Sequence, residues 1–166
     1  NTDIQGFKTG LEGTGQTIKN KVAFILGAGG VVSSIIIALK KMQISKIYLS
    51  NRTESKALKI KKLFPEIEII EWGKTTTFDI IINATSIGLN EEDKINIDYE
   101  NIGQNKFFYD IIYNPKETFF LRKAKEFGAQ VENGKMMFVY QAQKSFLIWH
   151  NILPVVDDET IKLLDT

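Results

Sequence analysis

The run Gly27-Ala28-Gly29-Gly30-Val31 closes an apolar stretch, Val22 to Leu26, and Asn51-Arg52-Thr53 closes a second, Ile47 to Leu49. A glycine turn that ends a buried strand and opens a helix brings backbone N–H groups close to a phosphate, at a helix end that favours negative charge. In an open α/β sheet the pyrophosphate of a dinucleotide lies there, and the end of the second strand, about 20 positions on, discriminates between dinucleotides. An acid at that place bonds a ribose 2′-hydroxyl, but here Asn51 and Arg52 stand there, with Lys56 one helical turn later. A guanidinium and an ammonium suit a 2′-phosphate. The expected cofactor is therefore NADP. Each feature also has a plainer reading: a strand–turn–helix corner for the glycines, and a solvated helix start for the charge pair. Their places at the ends of successive strands favour the ligand. The third glycine of the usual fingerprint is replaced by Val32.

Strand-like and helix-like segments alternate along the chain, which predicts a parallel sheet covered by helices. Strands are expected at 21–26, 46–50, 67–72, 78–83, 106–112 and 130–132. The unbroken Ile80-Ile81-Ile82 fits a strand buried on both faces. Helices are expected from Gly29 or Gly30 to Met42, from Thr53 or Ser55 to Phe64 and near 117–127, the last with Gly128 beyond its end. Two more are expected over 134–149 and 157–164. Ile35, Ile36, Leu39 and Met42 recur at helical spacing as a buried face. The stretch 90–105 reads as a polar loop. The fold class is α/β: a Rossmann-type, doubly wound, mainly parallel six-stranded sheet with helices on both faces.

At 166 residues the chain is one domain with enough length for a full core. Lys and Arg number 21 against 20 Asp and Glu, so no basic field points to nucleic acid. No apolar run approaches the ~20 residues of a membrane span. With no Cys and one His, neither a disulfide framework nor a thiolate or histidine metal site is expected. A cytoplasmic protein, monomeric or homodimeric, fits this balance. The polar start Asn1-Thr2-Asp3, without an initiator Met, suggests a fragment or processed piece.

Several further motifs occur in a fixed order. Asn1-Thr2-Asp3, the glycine turn and Asn51-Arg52-Thr53 are followed by Asn83-Ala84-Thr85-Ser86-Ile87-Gly88. Then come Asp110-Ile111-Ile112-Tyr113-Asn114-Pro115 with Thr118, and Gly134-Lys135-Met136-Met137 with Gln141 and Trp149. As a set this resembles the shikimate dehydrogenases, NADP-dependent reductases of aromatic amino-acid biosynthesis, over residues 1 to about 149. Such enzymes have two domains, and the resemblance covers the cofactor-binding one. Residues 1–20 would then lead in from an absent substrate domain, and 134–166 would form the C-terminal helices. With that domain would go the serines that hold the substrate carboxylate and the catalytic lysine.

The resemblance assigns roles residue by residue. Asp3 would be the acid of a Lys–Asp pair that handles the proton when the 3-dehydroshikimate ketone is reduced to shikimate; alternatively it N-caps the segment after it. Thr85 and Ser86, at a strand's carboxyl end, would border the cofactor's ribose, although their types also suit a plain turn. Ile111 would lay its backbone against the nicotinamide. Tyr113 would reach the substrate, or be an ordinary strand-end aromatic. Gly134, Met137 and Gln141 share one helical face; they would admit the nicotinamide, wall it and bond substrate hydroxyls, or be a helix start, a core filler and a surface amide. Phe146 and Trp149 are assigned to packing, and His150 to a structural role. The face toward the absent domain, near Asp3 and the final helices, is expected to be apolar. A non-catalytic NADP-binding module and a relative acting on quinate are the competing functions.

Overall fold

Apolar at nearly every position, Val22–Leu26 (β1) and Ile80–Asn83 (β4) are suited to the centre of a sheet, with both faces covered. The computed structural model describes residues 1–90, 92–99 and 105–165. Beside β1 lie Lys46–Ser50 (β2) and the short edge strand Glu68–Ile69 (β3); beside β4 lie Phe107–Asp110 (β5) and Gln130–Glu132 (β6). The order is β3-β2-β1-β4-β5-β6, and every pairing is parallel. This is a Rossmann-like α/β fold whose strand order reverses between β1 and β4.

Among the described residues six helices complete it: Thr2–Gly13 (α1), Val32–Lys41 (α2), Glu54–Leu63 (α3), Phe119–Glu126 (α4), Lys135–His150 (α5) and Asp158–Lys162 (α6). A 3-10 turn, Leu163–Asp165, follows α6. One core cluster joins Ala23, Ile25 and Tyr109 of the sheet to Phe7 and Leu11 of α1, Ile35 and Leu39 of α2, Ala57 and Ile60 of α3, and Met137 of α5. The second joins Phe24, Ile81 and Phe108 to Phe120, Leu121 and Ala124 of α4, and to Ile95 and Tyr99 of the preceding segment. Alternate residues along each strand feed opposite clusters, the period of a pleated strand.

From β1 onward the element identities agree with the sequence, and the differences in length have local causes; helix α1 was not expected. The third strand extends over Glu68–Ile69 and not to Trp72, because its ladder with β2 ends where Leu49 meets Ile69. The fourth begins at Ile80, and the fifth covers Phe107–Asp110 because its neighbour β4 stops at Asn83. Gly29 and Gly30 remain in the exposed turn, and α2 starts at Val32. Residues 92–99 are loop as expected; 91 and 100–104 of that stretch lie outside the described residues.

Two readings are corrected. Asp3 does not cap a helix: the Asn1 side chain does, accepting from the Asp3 N–H at 2.8 Å, and Asp3 sits in the first turn of α1. Trp149 is not packed, being 76% exposed, whereas Phe146, 41% exposed, has its ring 4.4 Å from the His150 ring, centroid to centroid. The helix α1 is the element that the sequence hides. Its glycines carry a propensity cost of about 1 kcal/mol each, offset here by tertiary packing. A Cβ on Gly6 would stand 2.6 Å from the Met137 carbonyl oxygen and 2.7 Å from the Gln141 Cβ, so α1 and α5 touch backbone to backbone.

Replacing Gly6 by Ala should therefore destabilise the chain by about 1–3 kcal/mol through overpacking. Gly13→Ala, whose added Cβ meets nothing within 4 Å, should leave the urea midpoint unchanged or raise stability by up to about 1 kcal/mol. Equal effects of the two changes would mean that the helices do not meet at Gly6.

Candidate nucleotide site

The strand ends Ser50, Leu26, Asn83 and Asp110 stand opposite one another in a single row across β2, β1, β4 and β5. Beyond that row lies a cleft of about 350 Å³, lined by the 27–29 turn, by 51–53 and Lys56, by Trp72 and by 84–87. Gly27 has φ +111°, and a Cβ there would sit 2.5 Å from the Ala84 carbonyl oxygen, so only glycine fits. At Gly29 and Gly30 a Cβ would meet nothing within 4 Å: the turn is open on its outer side. The N-cap of α2, Val31, provides no side-chain hydrogen bond. The first N–H groups of α2 thus lack a side-chain cap, which suits a phosphate.

Across the cleft the Asn51 amide donates to the Thr53 carbonyl at 2.8 Å and shapes the turn that carries Arg52. Arg52 and Lys56 are exposed, and neither has a carboxylate partner among the described residues. Two cations without counter-ions on one cleft wall are an anion site by charge and shape. Trp72, half-buried, lines the cleft as well. Sequence reading missed it, although it follows the third strand at the same carboxyl edge that identified the other lining residues.

The far wall is a hydrogen-bonded loop. Asn83 Oδ1 accepts from the Thr85 N–H at 3.0 Å and from the Thr85 hydroxyl at 2.7 Å, and Thr85 Oγ1 accepts from the Ile87 N–H at 3.0 Å. The Thr85 hydroxyl proton is thereby committed to the loop, and Ser86 alongside is exposed. Behind the loop, the Asp110 carboxylate is fully buried. Burial pushes its carboxyl up to about 6, against hydrogen bonds from Thr118, the Ile112 N–H and Asn83 that favour the anion.

The remaining expected residues gather at the start of α5, apart from the cleft's cationic wall. Gly134 lies so close to Ile111 that a Cβ would fall 1.9 Å from the Ile111 carbonyl oxygen. Met137 is 7% exposed and belongs to the first core cluster, with its backbone against Gly6 and Gly10. Gln141 faces Gly6, and Asp3 lies one helical turn before Gly6 on α1, where its carboxylate has no hydrogen-bond or ion-pair partner among the described residues. Tyr113 stacks on Phe138 with ring centroids 4.6 Å apart. Among the described residues no group of His, Asp and Glu could hold a metal ion, and no helix is long and apolar enough to cross a membrane.

Comparison with known proteins agrees with this geometry. A family profile described as shikimate / quinate 5-dehydrogenase matches residues 11–117. The chain is 71% identical over 165 residues to shikimate dehydrogenase (NADP(+)) of Pelagibacter ubique, covering 99% of this chain and 62% of that protein. Among solved structures it is similar to the shikimate dehydrogenase of Aquifex aeolicus, at 34% identity and TM-score 0.84, over 99% of this chain and 60% of that one. It is also similar to that of Thermus thermophilus in complex with NADP(H) and shikimate, at 29% identity and TM-score 0.84, over 99% and 61%. The chain thus spans about three-fifths of the length of these relatives.

The buried carboxyl generates a pH dependence. Asp110 titrates at about 6 in the folded chain against an ordinary 3.8, so between those values the folded state holds more protons than the unfolded one. Its contribution therefore makes stability fall as pH rises through that window, by up to about 3 kcal/mol. Asp110→Asn removes the term. In urea titrations the variant should gain on the wild type from about pH 4 to about pH 7 and then run parallel to it; a constant difference over that range would contradict the burial of this group.

Proposed function

Because this chain belongs to the shikimate / quinate 5-dehydrogenase family, we propose that it is the NADP-binding domain of a shikimate dehydrogenase. The whole protein would reversibly reduce 3-dehydroshikimate to shikimate, within aromatic amino-acid biosynthesis in the cytoplasm. The observation that carries the cofactor is the pairing of an open glycine turn at the end of β1 with Arg52 and Lys56, which have no carboxylate partner among the described residues, across the same cleft. Gly27, Ala28, Gly29, Gly30 and Val31 take the pyrophosphate at the start of α2. Arg52 and Lys56 take the 2′-phosphate, held out by Asn51 and Thr53. Thr85 and Ser86 border the ribose, and the Ile111–Gly134 contact admits the nicotinamide beside Met137.

When bound, NADPH supplies the hydride that adds to the carbonyl carbon. The carbonyl oxygen then needs a proton, which a lysine of the substrate domain, paired with Asp3, would deliver. Asp3 binds the same hydroxyl region and tunes that lysine, and Tyr113 and Gln141 orient the substrate from the β5 and α5 side. This chain by itself would bind cofactor without turnover. Quinate is the competing substrate, and the choice between the two would lie with the substrate domain.

The surface proposed to carry that domain is the second half of α5 with the segment after it. Ile148, Trp149, Ile152, Leu153 and Val155 are all exposed there, Val155 to 79%, a concentration that an ordinary monomer seldom shows. The Thr2 and Ser145 hydroxyls lie 3.1 Å apart, which puts this end of α5 beside the start of α1 and so beside Asp3.

Calorimetric titration should give NADP binding well above NAD binding. Arg52→Ala should weaken NADP by roughly tenfold to a hundredfold, the loss of a charge-assisted phosphate contact, while leaving NAD nearly unchanged. Equal affinities for both nucleotides would dismiss the phosphate clamp. In a Trp149→Phe background, NADP should also change the fluorescence of the remaining Trp72. The exposed face should bind ANS in excess of an ordinary monomer, and Trp149→Ser together with Val155→Ser should reduce it; ordinary ANS binding would remove the support for a docked domain.

A further inference from the structure

The family motifs contain three polar side chains to which the proposed function gives no task. Asn83, Asp110 and Thr118 are 0%, 0% and 2% exposed, and none of them lines the nucleotide cleft. Burying a carboxylate is unfavourable unless its acceptor positions are filled. Here they are filled from three directions. Asp110 Oδ1 accepts from Asn83 Nδ2 and from the Ile112 N–H, each at 3.0 Å, and Oδ2 accepts from the Thr118 hydroxyl at 2.7 Å. The donors come from the end of β4, the turn after β5 and the N-cap of α4.

From this centre the chain of bonds continues to the cleft. The second Asn83 amide hydrogen goes to the Ile87 carbonyl at 3.0 Å, and Asn83 Oδ1 holds the Thr85 N–H and hydroxyl. With both of its donors and its acceptor engaged, the Asn83 amide has one orientation. That orientation fixes Thr85 with its hydroxyl turned into the loop. The Thr85 methyl then lies toward Gly27, where a Cβ would be 3.1 Å from it. On the other side, the Ile112 N–H bond sets the turn whose Ile111 carbonyl meets Gly134.

We propose that Asp110 is a positioning residue: its carboxylate, braced by Thr118, sets the 83–88 loop and the 110–112 turn as one edge of the nucleotide cleft. The proposal rests on reading that cleft as an NADP site. It gives Thr118 a second task beyond capping α4, where its hydroxyl accepts from the Leu121 N–H at 3.4 Å. A residue that served stability alone would lower the unfolding midpoint when altered and leave the affinity of the folded chain untouched.

The test uses this chain with NADP as the probe and two readouts. Thr118→Val keeps the side-chain shape and removes the hydrogen bond to the carboxylate together with the α4 cap, and it does so at a distance from the cleft. It should weaken NADP binding by about fivefold, and Asp110→Asn by about tenfold, with Thr118→Ser restoring wild-type affinity. In the ligand-free chain, hydrogen exchange at the Thr85 and Ile87 amides should accelerate in Thr118→Val and Asp110→Asn and return with Thr118→Ser. Variants that fold, bind NADP as the wild type does and leave exchange at 85 and 87 unchanged would overturn the proposal. If the wild type binds no NADP while exchange at those amides still follows Thr118, the cofactor reading falls and the positioning role stands.

Discussion

Parallel pairing in one register brings the ends of four strands to the same line, Ser50–Leu26–Asn83–Asp110, and the rest of the molecule is arranged around that line. A parallel sheet must return each strand through a crossover, so every carboxyl end opens onto the same edge. Because the strand order reverses between β1 and β4, the crossovers leave that edge in opposite directions and a crevice opens between them. On the buried side of the line are Ile25, Phe24, Ile81 and Phe108; on the other side are the glycine turn, the cationic turn and the Thr85 loop.

Three of the four residues on the line are polar, Leu26 being the exception, and the hydrogen bonding of those three separates core from site. Asn83 and Asp110 are fully buried, yet each is bonded to backbone or side chains of the loops just beyond it. A hydrophobic residue at either place would fill the space and leave the loop N–H groups without acceptors, which costs about 1–3 kcal/mol for each buried group. The same bonds give the loops shape without regular secondary structure. Ser50, on the same line, contributes through its backbone: its carbonyl accepts from the Gly27 N–H at 2.7 Å, which ties the glycine turn to the strand that carries Arg52.

The second structural layer answers to a different constraint. Helices α1 and α5 meet where Gly6 and Gly10 face Met137 and Gln141, and close backbone approach replaces side-chain interdigitation at that crossing. The consequence for function is geometric. Gly6 and Gly10 hold α1 against Met137 and Gln141 of α5, so the groups proposed to face the substrate would take their placement from the packing that completes the first core cluster. Farther along α5, Ile148 and Trp149 are exposed.

What was legible in the chain followed from local rules. Alternating apolar strands and periodic helices gave the element order and the six-stranded α/β class, since burial on both faces leaves a readable run such as Ile80-Ile81-Ile82. The glycine turn, and Arg52 where an acid would select NAD, pointed to the cofactor because each acts through its own position at a strand end. Three things were not legible. Helix α1 has glycines that argue against a helix, and tertiary packing of Phe7 and Leu11 into the core and of Gly6 and Gly10 against α5 makes it stable. Trp72 joins the cleft through the path of the chain beyond an edge strand shorter than its apolar run. The Asn83–Asp110–Thr118 network depends on a register that pairs residues 27 positions apart in sequence. Short-range pattern therefore determined which elements form and which charges stand at their ends. Long-range packing decided which backbones touch, how long the edge strands run and which buried polar groups find partners, because those depend on atoms that the sequence places far apart and only the folded chain brings within hydrogen-bond reach.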